Sequence, residues 1–190
     1  RLVTNILREQ LFTNDQPIIF SSATLSTEGD FTYIASSLGI DEADSFTVDS
    51  PFECEEVMIA SVIEGNIDEK ITYIESLLKR KEPTLILFST AAVMQTFESM
   101  LPEEVRTQIA FEGERELASM IRDFTNGQMK MMASYNLWEG LDLPEHRLTQ
   151  VVIFDLPFPS NDPLFDAKRA HAKRPFEEVD LPYMQLRFRQ

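Results

Sequence analysis

Two short apolar runs, at 129–134 and 148–154, bracket the segment Trp138-Glu139-Gly140-Leu141-Asp142, and this arrangement constrains the chain more than any other stretch. The second run carries Val151, Val152, Ile153 and Phe154 without a polar interruption, as expected of a buried strand in a sheet covered by helices on both faces. Acid, glycine and acid at the carboxyl end of a parallel strand sit where open α/β sheets bind ligands, because the strand ends leave a crevice there. Glycine and aspartate are also turn formers, and a tryptophan is ordinarily core. Spacing alone leaves both readings open.

The rest of the chain alternates between the strand and helix periods. Residues 17–20 read as a strand running into Ser21-Ser22-Ala23-Thr24. Thr27-Glu28-Gly29-Asp30 fits a capping box with Asp in the acidic place, and Phe31, Ile34, Ala35 and Leu38 follow at helical spacing before Gly39; a helix over 28–38 is predicted. Residues 45–50 and 57–62 read as strands around Pro51. Ile67, Ile71, Ile74 and Leu78 form an apolar stripe that leads through Pro83 to a strand over 84–88. Ser89-Thr90 can cap a helix bearing Val93, Phe97 and Met100 or Leu101, ended by Pro102. The next segment is ambiguous until Leu117, Met120, Ile121 and Phe124 restore the helical period, which stops at Asn126-Gly127. Such alternation indicates βαβ units and a parallel sheet, hence an α/β fold.

Several stretches, in order, resemble the motifs of superfamily-2 DNA helicases of the DinG/XPD type, in their second RecA-like motor domain. Ser21-Ser22-Ala23-Thr24-Leu25 is similar to helicase motif III, Leu85-Ile86-Leu87-Phe88-Ser89-Thr90 to motif IV, and the run from Ala133 to Pro144 to motif V. Leu156-Pro157-Phe158-Pro159-Ser160-Asn161-Asp162-Pro163-Leu164 is similar to the LPF-x-x-P-x-DPL run of DinG-type proteins. The resemblance covers almost the whole chain from Pro17 on. It implies a RecA-like three-layer α/β fold, a parallel sheet with helices on both faces. Residues 1–25 would close the first motor domain and cross over, and 26–190 would form the second, incomplete at its C-terminus. It implies an ATP-dependent helicase or translocase acting on single-stranded DNA in repair or replication. ATP and Mg would be held mainly by the first motor domain, which is expected as a partner in the same chain.

The resemblance also implies residue roles. Ser22 and Thr24 would relay nucleotide state. Glu139 and Asp142 would accept hydrogen bonds from a ribose hydroxyl or orient the arginines of motif VI, Q-x-x-G-R-x-x-R, of which Gln190 would be the first residue. Gly140 would permit close backbone approach. Ser89, Thr90, Ser134 and Tyr135, with Lys168, would hold DNA phosphates through hydroxyl and N–H groups. Trp138 would support the loop from beneath or stack on a base. Each has a plainer reading: the hydroxyls cap helices or turns, Lys168 belongs to a solvated face, and Trp138 is packing. The alternatives for the whole are a degenerate helicase domain in an exonuclease fusion, or a non-enzymatic RecA-like binding module.

Composition narrows these readings. A chain of 190 residues, 43% hydrophobic, can bury one proper core. No apolar run approaches the ~20 residues needed to cross a bilayer, and no basic-then-apolar leader is present, so a cytoplasmic domain without membrane association is expected. The single cysteine, Cys54, excludes an internal disulfide and a four-cysteine iron–sulfur cluster in this segment, and with His146 and His171 far apart no zinc spacing exists. The net charge of −15 argues against a broad phosphate-binding surface. There is neither a G-x-x-x-x-G-K-[ST] loop nor an Asp-Glu-x-His box, so the chain is not expected to hydrolyse ATP by itself.

Overall fold

The computed structural model describes residues 3–14, 16–27, 29–49, 58–143 and 148–189. The expectations for Gln190, Cys54, Pro51, Pro144, His146 and the strand termini at 50 and 57 lie outside the described residues. In chain order the elements are α1 (Val3–Gln10), α2 (Thr32–Leu38), α3 (Ile67–Arg80), β1 (Thr84–Leu87), α4 (Ala91–Met100), α5 (Glu103–Arg106), β2 (Ile109–Phe111), α6 (Leu117–Thr125), β3 (Met131–Ser134), β4 (Gln150–Ile153), α7 (Pro163–His171), a π-helical turn (Phe176–Asp180) and α8 (Leu181–Phe188). Packing divides the chain into two compact units, Ala60–Ser160 and the pair of segments Arg1–Ile59 and Asn161–Gln190.

The unit Ala60–Ser160 is a three-layer α/β structure. Its entry helix α3 is fixed by a capping box: the Asn66 side chain accepts from the Glu69 N–H at 3.0 Å, and the Glu69 carboxylate accepts from the Asn66 N–H at 2.8 Å. Asp68 and Glu69 in the first turn and Lys79 and Arg80 in the last oppose the helix dipole. The four strands are parallel in the order β2-β3-β1-β4. Strand alternation then decides which helix meets which face. Ile86, Phe88, Ile109, Phe111, Met131 and Ala133 point to α3, α4 and α5, through Ile74, Leu77, Met94, Phe97 and Val105. Leu85, Leu87, Ala110 and Met132 point to α6, through Met120 and Phe124. The expected parallel sheet with helices on both faces therefore forms, and β2 arises from the segment whose period is ambiguous in sequence.

Three expectations are corrected. The run Val151-Val152-Ile153-Phe154 is not buried on both faces: β4 is an edge strand, and Val151 and Ile153 are 52% and 38% exposed while Val152 and Phe154 pack on the α3/α4 side. Residues 17–20, 45–49 and 58–62 form no strand; Ile19, Phe46 and Ile59 are 90%, 84% and 97% exposed. A β-prone run becomes a strand only when a neighbour takes its N–H and C=O groups, and among the described residues none does. The helix read over 28–38 starts at Thr32, because Thr27 and Asp30 pair through both backbone groups, at 3.0 and 2.9 Å, instead of capping it. The N-cap, Phe31, makes no side-chain cap bond; the Asp30 carboxylate just before it accepts from the Thr32 N–H at 2.8 Å.

In the other unit, α1 and α2 meet through Thr4, whose hydroxyl donates to the Ser37 carbonyl at 3.3 Å. Gly39 ends α2 at φ +79, and a Cβ there would stand 2.9 Å from the Thr4 carbonyl oxygen, so both backbone and space require glycine. Asp162 caps α7, accepting from the N–H groups of Leu164 and Phe165 at 2.8 and 3.0 Å, with Pro163 in the first turn. Arg169 binds Asp180 at 2.9 Å, and the rings of Phe165 and Tyr183 stack edge to face at 4.8 Å. Burial, helped by the neighbouring Tyr183 and Asp180, holds the Tyr33 phenol above its ordinary pKa.

Phe97, 1% exposed between Phe88 and Phe154, supports one face of the sheet; Phe97→Ala is expected to cost about 3–5 kcal/mol in urea denaturation. Tyr33 stays protonated in the fold at pH values where the unfolded phenol ionises, near about 10, so stability is full below that pH and falls as pH rises through it. Tyr33→Phe should flatten this alkaline slope in melting curves taken between neutral pH and the alkaline range.

Candidate functional site

Because every strand runs the same way, the carboxyl ends of all four lie along one edge, with Leu87 level with Ser134 and with Ile153, and Phe111 level with Ala133. The ladder extends one residue further: the N–H groups of Phe88, Phe154 and Glu112 donate to the carbonyls of Ser134, Leu87 and Ala133, each at 2.9 Å. Past that point the loops turn away and their N–H groups have no strand partner. Two carboxylates, one from each edge strand, take their place. Asp155, after β4, accepts from the Ser89 N–H at 2.9 Å and from the Ser89 hydroxyl, tying down the loop after β1. Glu112, after β2, does the same for the loop after β3.

Glu112 is 9% exposed. Its Oε2 accepts from the Ser134 hydroxyl at 2.5 Å and from the N–H groups of Tyr135 and Asn136 at 3.0 and 3.2 Å, and its Oε1 accepts from Asn136 Nδ2 at 2.6 Å. The Ser134 oxygen in turn accepts from the N–H groups of Asn136 and Leu137, at 3.1 and 3.0 Å. Trp138 is 5% exposed and donates its indole N–H to the Phe88 carbonyl at 2.8 Å, joining the loop after β3 to the end of β1. Only after this anchor does the backbone emerge. Glu139, Gly140 and Asp142 are exposed, and among the described residues neither acid is held by a hydrogen bond or ion pair. Gly140 has φ +74, a left-handed turn that favours glycine, and among the described residues nothing lies within 4 Å of where a Cβ would stand.

The structure thus gathers Ser89, Thr90, Ser134, Tyr135 and Trp138 at one sheet edge, with 139–142 projecting from it. Their roles within the fold are specific. Thr90 caps α4, its oxygen accepting from the Val93 N–H at 3.3 Å. Ser134 is fully buried and Trp138 nearly so, which places Trp138 beneath the loop and leaves no ring face for a base. Ser22 and Thr24 lie in the other unit, where the Thr24 N–H donates to Ser22 Oγ at 3.3 Å in a local turn. Lys168 lies there too, half-buried, its Nζ 5.2 Å above the Phe165 ring. Sequence reading missed both organising acids, Glu112 and Asp155. Asp155 carries a usable signal, a lone acid closing an apolar run; Glu112 carries none without its partners.

Residues 74–190 match the family described as helicase C-terminal domain. The chain is 43% identical over 196 aligned positions to the probable ATP-dependent helicase YpvA of Bacillus subtilis (strain 168), covering 100% of this chain and 31% of that protein. It is 30% identical to the 3'-5' exonuclease DinG of the same organism, over 97% of the chain and 23% of that protein. It is 27% identical to the ATP-dependent DNA helicase YoaA of Escherichia coli (strain K12), over 86% of the chain and 28% of that protein. The chain therefore spans less than a third of the length of these relatives. No described helix is long and apolar enough to cross a membrane.

Trp138→Phe keeps most of the buried ring but leaves the Phe88 carbonyl without its donor, and is expected to destabilise this unit by about 1–3 kcal/mol in thermal or urea melts.

Proposed function

The chain belongs to the helicase C-terminal domain family, and we propose that it serves as the second RecA-like motor domain of an ATP-dependent DNA helicase or translocase. In this reading residues 1–25 close the first motor domain, 26–190 form the second, and ATP with Mg is held mainly by the first. The relatives named as ATP-dependent helicases support the assignment. The observation that carries it is the 139–142 loop: Glu139 and Asp142 are exposed and unengaged on a loop whose root is fixed by Glu112, Ser134 and Trp138. Exposed acids on a loop with a fixed root suit a nucleotide cleft between two motor domains, because ribose hydroxyls and arginines are donors that carboxylates can orient.

Single-stranded DNA is the proposed second ligand, met through Thr90 and Lys168. Ser89, Ser134 and Tyr135 already donate to carboxylates, so their part is to shape the loops and not to touch phosphate directly. Positioning by hydroxyl and ammonium groups reads no bases, which makes the contact sequence-tolerant and salt-sensitive. Ser22, Thr24 and Gln190 remain the proposed coupling residues to the nucleotide, and a cytoplasmic location goes with this reading. The identity to an exonuclease DinG supports a second reading, a helicase-like domain serving a nuclease.

The test uses the full-length protein. Asp142→Ala is expected to lower DNA-stimulated ATP hydrolysis about tenfold or more with an unchanged melting temperature. An unchanged rate would return Asp142 to a turn-forming role, and digestion of a labelled 3' end without ATP turnover would favour the nuclease reading.

A further inference from the structure

Glu112 is buried and engaged by four donors, and none of them is a cation. A carboxylate accepts at about four lone-pair sites and donates nothing, so it can satisfy a hydroxyl, two backbone N–H groups and an amide at once. We propose that Glu112 is the positioning residue that sets the conformation of the 139–142 loop and so the presentation of Glu139 and Asp142 to the nucleotide, a role that rests on the helicase reading above. The constraint runs through named atoms. Glu112 orients the Ser134 hydroxyl, the Ser134 oxygen fixes the N–H groups of Asn136 and Leu137, and the indole of Trp138 then pins the next residue to β1. The acids begin one residue later. Successive N–H groups at a strand end are also where an anion would bind. Glu112 fills that place from within the chain, which keeps phosphate off this loop and leaves its acids to donors.

The chemistry of the clamp separates positioning from bulk packing. In Glu112→Gln the amide oxygen can accept the three bonds now made to Oε2, and the amide nitrogen meets Asn136 once the Asn136 side chain turns its oxygen inward. Glu112→Ala removes the acceptor that the Ser134 hydroxyl and the Tyr135 N–H now use, and leaves the Asn136 N–H only its share in the Ser134 oxygen. Asn136→Ala removes one bond to Oε1 from an exposed side chain.

In the full-length protein, ATP turnover is measured against oligo-dT concentration, well below each variant's melting temperature. Glu112→Ala is expected to lower DNA-stimulated turnover per folded molecule about tenfold or more, Glu112→Gln to restore most of it, and Asn136→Ala to lower it by a smaller factor. A folded Glu112→Ala protein with wild-type stimulated turnover and only a lower melting temperature would overturn the proposal. If Glu112→Ala does not fold, Asn136→Ala decides, and wild-type turnover in that variant overturns it. A wild-type protein without DNA-stimulated turnover would instead overturn the helicase reading itself, and this role with it.

Discussion

The end of a parallel strand is a place where hydrogen-bonding groups run out of partners, and this structure depends on how that shortage is met. In the Ala60–Ser160 unit the supply comes from side chains of the two edge strands. Glu112 follows β2 and gathers the loop after β3; Asp155 follows β4 and gathers the loop after β1. Hydrogen bonds to an ionised acceptor are roughly twice as strong as neutral ones, which offsets part of the cost of burying a charge. Each inner loop is thereby tied to an outer strand, so the rim keeps its shape across the sheet.

The motifs that resemble those of helicases are, in this chain, also pieces of local architecture. Ser89-Thr90 is a clamp point and a helix cap, Asp162-Pro163-Leu164 is a helix start, and Trp138 is a buried strut. A cap hydroxyl serves its helix whether or not a ligand comes, so packing and function do not compete for these residues. Glu139 and Asp142 are different. They stand exposed beyond the strut, which is why the functional reading rests on them and not on the better-packed members of the same motif.

The acidic excess of 32 Asp and Glu over 17 Lys and Arg is compounded by where several arginines are committed. Arg106 bridges Glu98 and Glu114, bonds that hold its pKa above the ordinary value. Arg115 pairs with Asp123, Arg8 with Asp41, and Arg169 with Asp166 and Asp180. The exposed pairs among these contribute little stability, but all of them leave fewer cations to attract phosphate. With a net charge of −15, any grip on DNA by this chain must be local, since screening at physiological salt confines charge effects to about 8 Å.

The α/β class is legible in residue order alone, because alternating runs of period two and period 3.6 are local properties of the side chains: α3, β1, α4, α6 and β3 all lie where their apolar spacing predicts. It also located the loop that carries Glu139 and Asp142. Which β-prone runs became strands depended on long-range pairing. Ile19, Phe46 and Ile59 look as strand-like as Ile109, yet only Ile109 found a partner strand, and pairing is a long-range event that spacing does not encode. Burial of β4 on one face depended on its place at the sheet edge. The role of Glu112 was illegible for the same reason: an acid 22 residues from Ser134 becomes its acceptor only when β2 and β3 lie side by side.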